Sequence, residues 1–397
     1  MSINSVLKKT LAKITKKKAQ NNLFEVDVKE SKEFLDDIID PQNNFERSYA
    51  QYRCQAHILG KAYVFFTNVA SFFLIILKLL TKNKLILKEE RRAVYASFGI
   101  PDSVIPKVLR DEYPEMKTLS NYDKEYLTKE DKKFFFSLWK KYPFSFLFLL
   151  KCLIKMKMYS ALIKEYSPEA IIVNNEFSYT SSFLTEYCEM RGITHINVMH
   201  GEKLFNLRDT FFHFHRCYIW NEGYKKLFNS LRAEETQYII AVPPSILFEQ
   251  EKIDNAQKTV DYTYYFQAPT EAEMTIVVEK LLQLAANGKK VAVRPHPRYT
   301  NASLLSSMIE GTPIEMEDYK TLSAVDSILR TNNVVSQFST VLFQAYCNNI
   351  NAVIDDVTNP KLTGMLKDLG FIMLECDHKM FSEILYEQSV QVCEKTN

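Results

Sequence analysis

His296 lies between two prolines and two arginines, in the stretch Val291-Ala-Val-Arg-Pro-His-Pro-Arg-Tyr299. The β-branched run after Gly288-Lys289-Lys290 predicts a central strand of a parallel sheet. Pro295 and Pro297 stop the chain from continuing as sheet or entering a helix there. The imidazole is therefore expected on a stiff loop at the carboxyl end of a strand, the edge where open α/β sheets bind ligands. With Arg294 and Arg298 beside it, the cluster suits a phosphate. The plain alternative is a histidine that only caps a turn.

A second strand-to-loop junction follows in Asn333-Val-Val-Ser-Gln-Phe-Ser-Thr-Val-Leu-Phe-Gln-Ala-Tyr346. Val334 and Val335 read as strand and Ser336 to Ser339 as turn. From Thr340 to Tyr346, the apolar residues Val341, Leu342 and Ala345 have helical spacing. Ser339 or Thr340 is then an N-cap, at a helix end whose free amides and dipole favour an anion. Capping without any ligand is the alternative. Gln267 ends the strand Tyr262–Phe266, ahead of a helix over 271–286, and reads either as a ligand contact or as a loop-capping amide.

Further acid–base side chains stand at strand ends earlier in the chain. Glu176 follows the strand 170–173, and His200-Gly201 follows the strand 194–199, with the glycine leaving room for close approach. A helix from Phe183 to Arg191, ended by Gly192, connects the two strands. Cys217 to Trp220 and Tyr238 to Val242 complete a first set of strands. A charged connector over 249–258 precedes the second set, which begins at Tyr262. Two doubly wound Rossmann-type α/β domains of GT-B-like layout are expected, over 91–250 and 251–397, facing one another across a cleft. His195, His213 and His215 make no compelling metal set, and His213-x-His215 reads as strand or loop beside that cleft.

The remaining chain is read as a basic and apolar helical region over 1–90. Lys8, Lys9, Lys13, Lys16, Lys17 and Lys18 face away from Ile3, Leu7, Leu11 and Ile14, which predicts a helix drawn to anionic lipid. A solvated lysine arm is the alternative. This segment lacks the apolar core and cleavage site of a secretory signal. Two stretches, 62–80 and 144–158, are more apolar than surface helices need to be. The first approaches the length of a bilayer span, about 20 residues, yet it contains Asn68 and Lys78, which are costly in hydrocarbon. The preferred reading has both stretches packing in the core while exposing an apolar, lysine-edged face to a membrane interface. A true span and an ordinary buried core are the alternatives.

Composition narrows the class. The 397 residues are 46% hydrophobic and 25% charged, values of a globular chain long enough for two domains. A net charge of +2 gives no argument for a nucleic-acid partner. Seven scattered cysteines without a Cys-x-x-Cys pair suit a reducing cytosol rather than a zinc site or disulfide scaffold. No Gly-x-Gly-x-x-Gly or Walker-type loop occurs, which leaves dinucleotide-fingerprint and P-loop enzymes unsupported.

Taken in order, the motifs resemble bacterial GT-B glycosyltransferases of surface polysaccharide synthesis. They are strand-Asn-Asn-Glu, strand-His-Gly, strand-Trp, strand-Gln-x-Pro, strand-Arg-Pro-His-Pro-Arg and strand-Ser-Gln-Phe-Ser-Thr. The nearest likeness is to sialyltransferases and polysialyltransferases that use CMP-sialic acid. Capsule Kdo transferases and the CDP-polyol phosphotransferases of teichoic acid synthesis are more distant. The likeness covers about residues 165–360. One departure is the Asp/Glu-Asp/Glu-Gly motif of bacterial sialyltransferases, which is absent; Asn221-Glu222-Gly223 keeps the glycine and a single acid.

The resemblance implies an inverting, metal-independent transfer from a nucleotide-sugar donor, with no cofactor and no metal. His296 would bind or protonate the leaving phosphate, Arg294 and Arg298 would add charge, and Ser339 and Thr340 would hold the same phosphate. Gln267 would face the donor. Glu176 or His200 would be the base that takes the acceptor proton, with Glu222 a third candidate. The implied partners are the donor, a glycan or glycolipid acceptor, the cytoplasmic face of the inner membrane and a polysaccharide-assembly complex. Transfer of a polyol phosphate, transfer of Kdo, and a non-catalytic assembly subunit with a GT-B shell are the competing readings.

Overall fold

The computed structural model describes residues 27–80, 92–97 and 100–396. The helix expected over 3–18 and the basic segment 82–88 lie outside the described residues. Two compact units form, one through His200 with Phe205–Pro243, the other from Gly201–Leu204 with Pro244–Asn397.

The first unit holds a parallel six-stranded sheet of β1 (Val94–Ser97), β2 (Lys117–Ser120), β3 (Ala170–Val173), β4 (Thr194–Val198), β5 (Arg216–Ile219) and β6 (Tyr238–Ile240), ordered β2-β1-β3-β4-β5-β6. Every residue of β1 and β3 is buried, as the unbroken apolar runs of central parallel strands require. The strand order reverses between β1 and β3, which makes their carboxyl ends the topological switch point.

Eight helices are described in this unit: α1 (Val28–Asp36), α2 (Asn44–Leu59), α3 (Lys61–Leu80), α4 (Lys107–Glu112), α5 (Lys129–Lys141), α6 (Phe146–Tyr166), α7 (Ser181–Met190) and α8 (Glu222–Ser230). Local chemistry starts them. The Asn43 side chain accepts from the Glu46 amide, and Thr128 with Asp131 forms a capping box. α2 packs on α7 and α3 packs on α6.

The stretch 144–158 packs in the core as expected, but of its apolar face only Phe144, ahead of the helix, stands exposed. It becomes most of α6, a core helix buried at Leu149, Cys152, Leu153, Met156 and Leu162, so it offers no broad apolar face to a membrane. Even Lys157 is buried, with its ammonium 3.2 Å from Glu125. The 3.6-residue pattern is obscured there because α6 is apolar nearly all round.

The second unit holds a parallel six-stranded sheet of β7 (Val260–Tyr265), β8 (Val291–Arg294), β9 (Glu315–Met316), β10 (Thr331–Ser336), β11 (Asn351–Ile354) and β12 (Lys379–Met380), ordered β12-β11-β10-β7-β8-β9. Its helices are α9 (Gln250–Asp254), α10 (Glu271–Ala286), α11 (Ala302–Ile309), α12 (Ala324–Leu329), α13 (Thr340–Cys347), α14 (Pro360–Asp368) and α15 (Phe381–Thr396). Tyr264, Phe266, Val277, Leu281, Val293, Leu305, Val335 and Val353 form its core. Read from its own first strand, this is the dinucleotide-type strand order, with the switch point between β7 and β10. Two doubly wound parallel sheets are the α/β class expected.

Candidate functional site

In the second unit, loops at the carboxyl ends of β7, β8 and β10 are tied together by side chains. The Gln267 Nε2 donates to the Ser339 Oγ at 2.7 Å, joining the loops of the two strands that flank the switch point. The Gln267 carbonyl accepts from the Thr300 Oγ1 at 2.9 Å, and that oxygen accepts from the His296 amide at 2.8 Å. Gln267, His296 and Ser339, identified separately in the sequence, therefore belong to one hydrogen-bonded chain.

The chemistry of each member follows from its partners. The Arg298 amide donates to the His296 Nδ1 at 3.1 Å, so the neutral ring carries its proton on Nε2. Burial, and then the Arg298 charge, lower the pKa of His296. It is thus held as a neutral N–H donor, with its ring stacked on Tyr299 at 4.6 Å. Ser339 is the N-cap of α13; its Oγ accepts from the Val341 amide and from Gln267, which leaves its own proton for an acceptor. Thr340 is the first residue of α13, where helix amides lack carbonyl partners. The Gln337 Nε2 in the same loop is buried and has no hydrogen-bond partner. Buried donors are rarely left so, which makes Gln337 a candidate ligand contact that sequence reading missed.

Arg294 departs from its expected place at the phosphate. It is buried, and its guanidinium donates to Glu317 at 3.1 Å and to the Leu322 carbonyl at 2.9 Å. The Glu317 carboxylate is also held by Arg330 and Ser327. Arg294 is therefore an internal strut below the His296 loop. Arg298 is exposed at the loop surface.

In the first unit, Glu176 and His200 come together at the carboxyl ends of β3 and β4. The Glu176 Oε1 lies 3.7 Å from the His200 Nδ1, with the carboxylate fully buried and the imidazole 28% exposed. Asn197, on β4, positions the acid: its Nδ2 donates to the Glu176 Oε2 at 3.1 Å, and its Oδ1 accepts from the Asn175 amide at 2.8 Å. From α2, the Gln51 Nε2 donates to the Glu176 carbonyl at 2.8 Å and to the Arg208 carbonyl at 2.7 Å. A polar Asn between Ile196 and Val198, in a strand whose neighbours are apolar, is the signal that could have marked Asn197, since a buried amide needs partners. Gln51 has no such signal. Gly201 takes φ +66, with open space where a Cβ would stand, so its role is the backbone turn rather than the room expected there.

Two cations adjoin this loop. The Lys151 Nζ sits 4.0 Å from the Tyr179 ring centroid, and the Arg208 Cζ sits 5.2 Å from that of Phe177. The Phe177 ring in turn meets His200 at 6.2 Å. Burial, followed by the charges of Lys155 and Arg208, brings the Lys151 ammonium down to about 7. Neither Lys151 nor Arg208 has a carboxylate partner among the described ion pairs.

The remaining candidates lie apart from both clusters. Glu222 is exposed in the first turn of α8, where its charge suits the helix dipole. His213 and His215 precede β5, so they lie at the amino-terminal edge of the sheet, away from the binding edge expected for them. His195 is buried between the Tyr159 hydroxyl at 2.9 Å and the Thr185 Oγ1 at 2.8 Å. Among the described residues, no group of three His, Cys, Asp or Glu is placed to hold a metal ion.

No protein-family model and no curated protein sequence matches the chain. Solved structures do. The wall teichoic acid polymerase TagF is 14% identical, over 83% of this chain and 88% of that one, at a TM-score of 0.45. The Methanocaldococcus jannaschii UDP-GlcNAc 2-epimerase, in complex with UDP-GlcNAc and UDP, is 10% identical over 74% and 88%, at 0.42. The S. aureus MnaA–UDP structure is 9% identical over 75% and 90%, at 0.43. These are likenesses of chain path, and they carry no activity over to this chain.

Proposed function

We propose that this chain is a glycosyltransferase of GT-B type, moving a sugar from a nucleotide-linked donor to a hydroxyl of a cell-surface glycan. One observation carries the reading: an accessible histidine backed by a buried carboxylate ends strands of one sheet, and a set of neutral phosphate donors spans the switch point of the other. His200 is the base. With Nδ1 on the Glu176 side, Nε2 takes the acceptor proton, and the buried carboxylate stabilises the imidazolium that forms. The acceptor oxygen then attacks the anomeric carbon, the carbon–oxygen bond to the nucleotide breaks, and its electron pair leaves with the phosphate. Configuration inverts. The His296 Nε2–H, the Ser339 hydroxyl and the amides of α13 receive the charge on that phosphate, with Arg298 at the surface. No metal enters this scheme.

The donor that fits best is CMP-linked sialic acid. Its leaving group carries a single phosphate, which matches a site of neutral donors and one exposed guanidinium. An acidic acceptor suits this loop, where Arg208 over Phe177 and a half-charged Lys151 over Tyr179 have no carboxylate partner among the described ion pairs. That same pair favours a second reading, transfer of a polyol phosphate from a CDP donor to a growing phosphate polymer. There the acceptor oxygen attacks phosphorus and CMP again departs. CMP-Kdo is the remaining donor of this type.

The test is a donor panel of CMP-sialic acid, CMP-Kdo, CDP-glycerol and UDP-sugars, scored by nucleotide released, beside melting shifts with CMP, CDP and UDP. Release of CMP from CMP-sialic acid is expected. Release from CDP-glycerol alone would select the second reading. No shift with any nucleotide would leave a non-catalytic assembly subunit.

A further inference from the structure

α3 turns the wrong face outward for a helix in water. Its 20 residues contain no acid, and only Ser71 and Ile75 are buried. Phe65 is 64% exposed, Phe66 71%, Phe73 61%, Leu77 58% and Leu80 73%. Its polar side chains past Lys61 are turned inward. The Asn68 Nδ2 donates to the Phe144 carbonyl at 2.8 Å, and its Oδ1 accepts from the Leu147 amide at 2.9 Å. Asn68 thereby caps α6, whose own N-cap residue Ser145 turns its hydroxyl to Tyr49 and makes no side-chain capping bond. The Lys78 ammonium meets Glu125 at 2.6 Å, and the Lys157 ammonium donates to the Lys78 carbonyl at 3.0 Å. Soluble surface helices show the opposite polarity, and an apolar patch of this extent marks an interaction surface.

The patch continues onto α5 through a chain of rings. Phe72 meets Phe146 at 5.0 Å, Phe146 meets Trp139 at 6.3 Å, and Trp139 stacks on Phe136 at 5.8 Å. Phe136 is half exposed, and the nearby Phe144 is exposed too. One helical turn to either side of Phe136, on the same face of α5, stand the exposed Lys132, Lys133 and Lys140. Lys61 opens α3. Of the two acids of α5, Asp131 is buried and Glu130 lies in the first turn. Exposed aromatic and aliphatic side chains edged by lysines match one surface in particular, the boundary of an anionic bilayer.

We infer that the outward face of α3, with Phe136 and Phe144, docks in the plane of an anionic phospholipid surface, as at the cytoplasmic leaflet of a cell membrane. By length and composition α3 could cross a bilayer, but its inner face is fastened to α6, and the Lys78–Glu125–Lys157 cluster would then sit in hydrocarbon, where charge is costly. Lying flat, a helix of this length lays about 30 Å of apolar surface on the membrane.

The experiment uses the full chain with vesicles of phosphatidylcholine alone or mixed with phosphatidylglycerol. Co-sedimentation with the anionic vesicles is expected. The variant F65S/F66S/F73S should bind at least about tenfold more weakly, and K132E/K133E/K140E should lose the preference for anionic lipid. An F73W variant keeps the question open to measurement if the triple variant misfolds: its emission should shift to the blue and be quenched by brominated lipid. Wild-type vesicle binding by a folded F65S/F66S/F73S protein would overturn the inference. A dimer in solution that this variant converts to monomer would do so as well, making the face a contact between copies. Retention of residues 61–80 after alkaline carbonate would show a span instead.

Discussion

Gln267 and Ser339 stand 72 residues apart in the chain and are joined by a 2.7 Å hydrogen bond across the switch point of the second sheet. The bond sets the Ser339 hydroxyl at the mouth of α13, while Thr300 carries the same constraint to the His296 loop. Donors prepared in this way need little rearrangement when charge develops on a phosphate, which is the condition for electrostatic stabilisation.

His296→Ala should therefore weaken nucleotide binding and nearly abolish transfer without changing the melting temperature. Losing a hydrogen bond to a charged phosphate costs about 1.5–3 kcal/mol. Gln267→Ala should raise the donor KM more than it lowers kcat, since it frees Ser339 without removing a donor. Calorimetric titration with CMP and CDP checks both. A folded His296→Ala protein with wild-type affinity and turnover would remove this loop from the site.

His200→Ala should lower kcat by roughly 10²–10⁴-fold, the usual loss for a general base, with nucleotide affinity unchanged. Glu176→Gln should act in the same direction with a smaller loss, because the carboxylate is fully buried and works through the imidazole. Single-turnover rates at saturating donor provide the comparison. If Glu176→Gln proves the more damaging change, the carboxylate itself takes the proton and the two roles exchange.

Elements with local signals were legible in the sequence, and those defined by distant partners were not. The helix expected over 271–286 is observed over Glu271–Ala286, where Thr270 and Glu273 form a capping box and the apolar spacing is regular. Ser339 as N-cap was legible for the same reason. β2 escaped because its residues are mostly exposed and carry no apolar alternation. Arg294 looked like a phosphate ligand because its partner Glu317 lies 23 residues on and has no motif of its own. Asn68 and Lys78 looked costly until their partners on α6 and beside it came into view.

The two arginines beside His296 should separate cleanly. Arg294→Ala strips a buried carboxylate of one partner, which should cost about 3 kcal/mol or more and loosen the loop above it. Arg298→Ala removes only an exposed charge, so stability should hold while nucleotide affinity falls at low salt. Urea denaturation of both variants, with CMP titrations at two ionic strengths, makes the distinction. Equal stability for both would contradict the strut role of Arg294.

The buried histidines of the first unit fix the sign of its acid response. His195, His213 and His215 all have pKa values lowered chiefly by burial, and that of His213 falls to about 4. Their hydrogen bonds to Tyr159, Thr185 and Asn44, and from the His195 amide to the His215 Nδ1, are satisfied with neutral rings. Above the unfolded-state value of about 6.5, both states bind no proton and these groups add no pH dependence. Below it the unfolded chain takes up protons that the folded chain resists, so stability falls as pH drops below about 6.5, and the share due to His213 is fully lost below about 4. For His213 alone the loss is on the order of 3 kcal/mol. Urea midpoints should decline steadily between pH 6.5 and 5, a window above the titration of ordinary carboxylates. His213→Gln, which can still donate to Asn44, should flatten part of that slope. A midpoint that stays constant from pH 7 to 5 would mean that the cluster accepts protons as readily folded as unfolded.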